Sequence, residues 1–257
     1  MSFEPKAGEA EVPEEPKPAV VLLHGWPTSS FLWRDLVPML SPWMRPIAPD
    51  FEDPCDLEGS AASVRALLDD LSIERFAAVG HSEGAAVAQI LAVRGGVDAM
   101  VLIDAVALDV APGSADGAEA SLRAGVGRPE RLTEDAIAGF LKIGPTASRS
   151  VSGATPSADE LERLEVPTLV LWGEDDAFLP VELAERLGDA LPRASVAVLP
   201  GCGHLVTEDA PETVLPLVFQ YLRSMYLGTP HAHEDGPVTV QIGRRLHGTG
   251  SEEDFRW

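Results

Sequence analysis

The patterned part of the chain opens with an unbroken apolar run, Ala19-Val20-Val21-Leu22-Leu23. A short continuous run of this kind predicts a strand buried on both faces. The signature returns at Phe76-Ala77-Ala78-Val79, at Met100-Val101-Leu102-Ile103, at Thr168-Leu169-Val170-Leu171-Trp172 and over Ala194–Leu199. Residues 45–50 are a weaker candidate, because Pro46 and Pro49 cannot donate to a ladder. Between these runs the apolar spacing is helical. Phe31, Trp33, Leu36, Val37 and Leu40 follow an opening at Thr28-Ser29-Ser30. Val64, Leu67, Leu68 and Leu71 mark a helix over 60–71, and a last one is expected over Pro211–Leu227. Strands alternating with helices predict an α/β fold, a mostly parallel central sheet flanked by helices.

Composition divides the chain. Residues 1–18 are rich in Glu and Pro and read as a disordered acidic tail. Residues 19–108 and 157–227 carry the strand and helix pattern of the core. Residues 109–156 are rich in Gly, Ala, Ser and Pro and read as a short lid insertion over the C-terminal edge of the sheet. Its one clear helix candidate is 133–142, with a Thr cap and acids in the first turn. Residues 228–257 form a C-terminal extension.

Charge narrows the partners. A net charge of −22 disfavours nucleic acid and anionic membranes, both of which would repel this surface. Cys55 and Cys202 make neither a disulfide framework nor a zinc spacing, and the N-terminus has no basic-then-apolar signal pattern. The expected setting is the cytoplasm, with no metal and no cofactor.

The chemistry is densest where the strand at Phe76 ends. Gly80-His81-Ser82-Glu83-Gly84 is a Gly-x-Ser-x-Gly sequence between a strand pattern and a helix of small residues. That context makes a tight turn that lifts a serine hydroxyl above the sheet, with Gly80 and Gly84 where side chains would not fit. A serine nucleophile needs a base, and the base an orienting acid. Gly173-Glu174-Asp175-Asp176 follows one later strand and Gly203-His204 follows the next. The order Ser82, Asp176, His204 is the one this elbow requires.

Taken together, these segments resemble the α/β-hydrolase fold over roughly residues 19–225. The resemblance rests on His24-Gly25-Trp26-Pro27, Gly80 through Gly84, Gly173 through Asp176 with Pro180, and Gly203-His204 followed by Glu208-Asp209-Ala210-Pro211-Glu212. It implies acyl transfer on a small-molecule acyl substrate, an ester, thioester or lactone, through Ser82, His204 and Asp176. Asp104, after an earlier strand, is the fallback acid. The backbone N–H groups of Trp26 and Glu83 would form the oxyanion hole. His24 and Gly25 are supporting residues of the first loop, and His81 packs beside the elbow. Non-hydrolytic relatives (perhydrolases, C–C hydrolases, cofactor-free oxygenases) and a non-catalytic binding module are the alternatives.

The segment from His24 to Arg34, with Ile47-Ala48-Pro49-Asp50, is similar to the haloalkane dehalogenase branch, which uses an aspartate nucleophile. Here that position is Ser82. The resulting ether would have no carbonyl for water to attack, so dehalogenation is not expected. Epoxide hydrolysis is not expected either, because the tyrosines, Tyr221 and Tyr226, lie in the last helix. Glu83 replaces the branch's halide-binding tryptophan and is expected to point to solvent. If buried, it could select a cationic substrate or act in acid–base chemistry. The N-terminal hairpin of the family sheet is missing. The stretch from Val238 to Ser251 resembles it, so the tail either supplies the first strands, within one chain or across a homodimer, or stays disordered or loosely docked.

Overall fold

The computed structural model describes residues 17–51, 56–143, 151–227 and 238–241. In chain order the elements are β1 (Ala19–Leu23), a 3-10 turn (Ser30–Trp33), α1 (Leu36–Leu40), β2 (Arg45–Ile47), α2 (Leu57–Asp70), β3 (Phe76–His81), α3 (Glu83–Arg94) and β4 (Val97–Ile103). There follow α4 (Ala118–Ala124), α5 (Glu134–Ile143), α6 (Ala158–Leu161), β5 (Thr168–Gly173), α7 (Glu182–Ala190), β6 (Ala194–Leu199), α8 (Val206–Asp209), α9 (Pro211–Leu227) and β7 (Val238–Gln241). The strands form one sheet in the order β2-β1-β3-β4-β5-β6-β7. Every neighbouring pair is parallel.

The period-2 geometry of a strand sends successive side chains to opposite faces, and β1 shows the result. Val20 and Leu22 join a core with Trp33, Leu36 and Val218, while Val21 and Leu23 join a second core with Val64, Leu68 and Leu183. The continuous apolar runs are continuous because both faces of the sheet are covered. The chain begins mid-sheet at β1, steps out to β2, and returns on the other side as β3. The loops leaving β1 and β3 therefore diverge from a switch point, where open α/β sheets place ligands.

Several element boundaries differ from the sequence reading, each for a local reason. The helix expected from Thr28 is a 3-10 turn followed by α1, with Ser29 Oγ accepting from Phe31 N–H at 3.3 Å. Pro38 fits the first turn of a new helix but would break a continuing one. β2 stops at Ile47, just before Pro49. α2 begins early because Asp56 caps Gly59 N–H at 3.1 Å. α5 starts at Glu134, with Thr133 Oγ1 accepting from Ala136 N–H at 3.1 Å.

The described part of the tail is not at the far edge of the sheet. Val238–Gln241 pairs with β6, at the end opposite β2, and so stands next to the strand before α9. Val238–Gln241 is thus an edge strand beside β6 and not beside β2, and the rest of the stretch expected to resemble the first strands, 242–251, lies outside the described residues. Most of the acidic tail, Cys55, and the extension on either side of β7 lie outside the described residues.

Candidate active site

β3 delivers Ser82 into a turn that backbone hydrogen bonds lock. Ser82 N–H donates to Ile103 O at 3.0 Å, and Ser82 O accepts from Ala85 N–H at 3.0 Å and Val106 N–H at 3.2 Å. Its φ of 52° and ψ of −119° lie in a strained region for a residue with a side chain. A Cβ at Gly80 would overlap the Gly84 carbonyl and Ala85, and one at Gly84 would overlap the Leu23 carbonyl. Both glycines are therefore required by the closeness of α3 to β1 and to its own strand. Ser82 is buried, and its Oγ makes no hydrogen bond among the described residues. It lines a cavity of about 280 Å³ together with His204, Trp26, Glu83, Phe178 and the segment 111–114.

His204 leaves β6 and Asp176 leaves β5, so parallel pairing of these strands sets their loops side by side. Gly173 and Gly203 let the two loops touch, since a Cβ on Gly173 would overlap the Gly203 carbonyl. Asp176 Oδ2 lies 2.8 Å from His204 Nδ1. Asp176 Oδ1 accepts from Phe178 N–H at 2.8 Å and Leu179 N–H at 3.1 Å. A carboxylate that already accepts two N–H groups calls for a donor at its other oxygen. This sets the proton on Nδ1 and leaves Nε2 of His204 as a base. The Phe178 ring packs edge-on against the imidazole, with centroids 5.3 Å apart.

Asp104 stands behind this pair. It is fully buried, with φ 44°, and its Oδ1 accepts from Gly173 N–H at 2.8 Å while Oδ2 has no partner among the described residues. Burial, then the charge of Asp176, hold its carboxyl well above the ordinary range, so it stays a neutral acid. Of the two acids that follow strands, Asp176 and not Asp104 bonds His204 Nδ1. His81 Nε2 lies 2.8 Å from the His204 carbonyl, and its ring lies 4.8 Å from that of His204. Burial, then the proximity of His204, push His81 down to about 3, and it remains neutral.

His24 fastens the first loop. Phe51 N–H donates to its Nε2 at 3.1 Å, so the proton sits on Nδ1, which donates to Gly25 O at 3.0 Å. Burial lowers its pKa further, in keeping with a neutral ring.

Glu83 departs from expectation. It is 2% exposed and does not face solvent. Its Oε2 accepts from Trp26 N–H at 2.9 Å. A Cβ on Gly25 would overlap that same oxygen and come within 2.7 Å of Ser82 Cβ, so Gly25 is what admits the carboxyl. Burial raises the Glu83 pKa, opposed by its own backbone N–H, that of Trp26, the nearby His204 and the adjacent Ser82 hydroxyl. One of the two expected oxyanion donors is thus engaged by a side chain of the chain itself.

Two residues of the site's support were quoted in the sequence comparison without a role. Asp209 is fully buried and accepts from Gly203 N–H at 2.7 Å and from Gly127 and Arg128 N–H, both at 2.8 Å. It ties the His204 loop to the segment before α5. Glu208 forms a two-pronged pair with Arg34, both arms 2.8 Å, and the guanidinium lies over the Phe31 ring at 4.6 Å. A buried acid six positions after Gly203 gave a signal only through its place beside His204.

Comparison with known proteins agrees with the fold. Haloalkane dehalogenase 2 of Mycobacterium tuberculosis is 26% identical over 81% of this chain and 89% of its own. The solved 2-hydroxy-6-oxo-6-phenylhexa-2,4-dienoate hydrolase of Rhodococcus superposes with a TM-score of 0.67 at 22% identity, covering 80% of this chain and 91% of that one. A carboxylesterase from Bacillus subtilis gives a TM-score of 0.66 at 20% identity, over 84% and 86%. At such identities the two solved structures speak for the fold alone. Residues 20–217 match the description "Alpha/beta hydrolase family" as a whole, and the chain belongs to that family.

Proposed function

We propose that this hydrolase cleaves an ester, thioester or lactone through an acyl-enzyme on Ser82. The observation that carries the reading is the Asp176–His204 contact, at 2.8 Å, beside a serine held on a strained elbow in the same cavity. His204 Nε2 takes the proton of Ser82 as Oγ attacks the acyl carbon. The imidazolium is stabilised by Asp176 and returns the proton to the leaving oxygen or sulfur. Water then repeats the sequence on the acyl-enzyme, with His204 again the base. The Ser82–His204 hydrogen bond forms with substrate in place, as catalytic contacts commonly tighten then.

The relatives frame two rival chemistries. Dehalogenation needs a nucleophile whose covalent adduct water can cleave, and a Ser82 ether is not one. The dienoate substrate named for the Rhodococcus enzyme is an anion. None of the described residues lining this cavity is Lys or Arg. An anionic substrate would find no Lys or Arg to pair with among them. The cavity's size favours a small, uncharged acyl group.

A fluorophosphonate probe tests the reading. The wild type labels at Ser82, and Ser82→Ala and His204→Ala do not label. In a subsequent screen of acyl esters, Ser82→Ala loses about 10³-fold or more in kcat/KM. A folded wild-type protein that does not label refutes the hydrolase reading and leaves a binding module.

A further inference from the structure

The oxyanion hole of this chain is incomplete in one respect, and Glu83 accounts for it. A developing oxyanion needs donors placed before the reaction begins. Trp26 N–H, one of the two backbone donors at this site, is already bonded to Glu83 Oε2. The seat is built into the backbone: Gly25 lacks the Cβ that would overlap this oxygen, and Ser82 Cβ closes the other side. Glu83 also lines the cavity beside Ser82 and His204. Oε2 is held by Trp26 N–H, and the carboxyl's remaining partners are its own backbone N–H and the hydroxyl of Ser82, the group that attacks the substrate.

We infer that Glu83, as the neutral carboxylic acid, is a catalytic residue of the Ser82 site: the oxygen not bonded to Trp26 carries a proton and, with substrate in place, donates a hydrogen bond to the substrate oxygen that gains negative charge. The inference rests on the acyl-transfer reading above. No bond to hydrogen is broken at Glu83. It keeps its proton throughout, and the proton that moves is the one His204 takes from Ser82. Trp26 N–H then acts through the carboxyl, by polarising the oxygen it binds.

The surroundings support a neutral Glu83. From the elbow it meets the uncharged Ser82 hydroxyl, with neutral His81 one turn position away. The loop after β1 brings Gly25, Trp26 and the neutral His24, and the cavity-lining segment 111–114 has no titratable side chain. The loop after β5 contributes the Phe178 ring, while Asp176 is turned to His204 Nδ1. Among the described residues, His204 is the one group facing Glu83 that can become cationic. Burial without a fixed cation disfavours the carboxylate.

The test is the rate at which the fluorophosphonate probe labels Ser82, measured against pH in the wild type, Glu83→Gln and Glu83→Ala. The P–O oxygen of the probe occupies the same hole, so the readout needs no knowledge of the natural substrate. The expected result has three parts. The wild-type rate falls as pH rises through the Glu83 ionisation, Glu83→Gln labels well with that fall gone, and Glu83→Ala labels about 10²-fold more slowly. Gln is neutral at every pH and keeps both an acceptor for Trp26 and a donor for the cavity. Glu83→Ala labelling as fast as the wild type, or faster, overturns the inference and makes Glu83 a plug in the hole. So does a Glu83→Gln variant that retains the wild-type fall. In both cases the Ser82 reading survives, because labelling persists. If the wild type and all variants stay unlabelled, the parent reading fails first and this one with it.

Discussion

Two buried carboxyl groups, Glu83 in the cavity lining and Asp209 under the His204 loop, are satisfied to very different degrees. Asp209 receives three backbone N–H groups at 2.7–2.8 Å, from two segments far apart in sequence. Glu83 receives one from another residue, at 2.9 Å, and faces a cavity. Both are almost completely shielded from water. A buried acid with its acceptors filled fixes loops in place, whereas one left partly unpartnered in a cleft is free to do chemistry. The difference separates the frame of the site from its working surface.

Removing Asp209 should have the larger effect. Asp209→Ala leaves the N–H groups of Gly127, Arg128 and Gly203 without an acceptor. Each buried donor left unmade costs roughly 1–3 kcal/mol, less when neighbours relax together. A loss of about 3–4 kcal/mol in unfolding free energy is expected, and a melting temperature lower by about 10 °C. Because the His204 loop is one of the two segments released, labelling of Ser82 should slow as well. Asp209→Asn, which keeps one acceptor oxygen, should fall between the two. A melting curve for Asp209→Ala that overlays the wild type would erase the contrast drawn here.

Next in size is a substitution that tests the Glu83 seat directly. Gly25→Ala pushes a methyl group into Glu83 Oε2 and toward Ser82 Cβ. Overpacking of this kind costs about 1–3 kcal/mol. In the Glu83→Ala background part of the clash is gone, so denaturant titrations of the four proteins in the cycle should give a coupling of about 1 kcal/mol. Full additivity would mean that Gly25 is needed only for Ser82 and that the carboxyl seat is incidental.

These two residues also mark where the sequence was readable and where it was not. Strand runs buried on both faces give β1, β3, β4, β5 and β6 almost residue for residue, because continuous apolar sequence has few other uses. The elbow was legible because Gly80 and Gly84 are both demanded by backbone contact. The four-residue α6 was missed although Ser157-Ala158-Asp159-Glu160 spells a capping box, which the structure forms. The contact between Asp176 and His204 follows from the parallel pairing of β5 and β6. What the sequence withholds is the direction a side chain takes at a crowded turn. Glu83 follows Ser82 at a helix start, where solvent is the ordinary destination for a carboxylate. It turns inward because Gly25, 58 positions earlier, vacates the space and Trp26 offers an N–H. Asp209 is similar: its three donors come from residues 127, 128 and 203, and no local pattern joins them. The tail edge was illegible for a related reason, since Val238–Gln241 is as compatible with one sheet edge as with the other.

The smallest effect expected is a pH dependence of stability, and it isolates the charge of Glu83 from its shape. Burial holds the folded pKa of Glu83 above its ordinary value of 4.5. The unfolded chain therefore releases this proton first as pH rises. Stability linked to Glu83 is fully present below the ordinary value and is lost as pH climbs through the folded one. Glu83→Gln removes the titration while keeping the size and the acceptor for Trp26 N–H. Its melting temperature should match the wild type near pH 4 and exceed it increasingly toward pH 8, a range chosen to bracket ordinary carboxylate titration, about 4.3 for glutamate. The sign is the informative part. A wild type that gained on Glu83→Gln as pH rose would mean that the folded protein stabilises the carboxylate. Glu83 would then resemble Asp209, an acid retained for its acceptors, and the cavity would hold an anion where the proposed chemistry needs a donor.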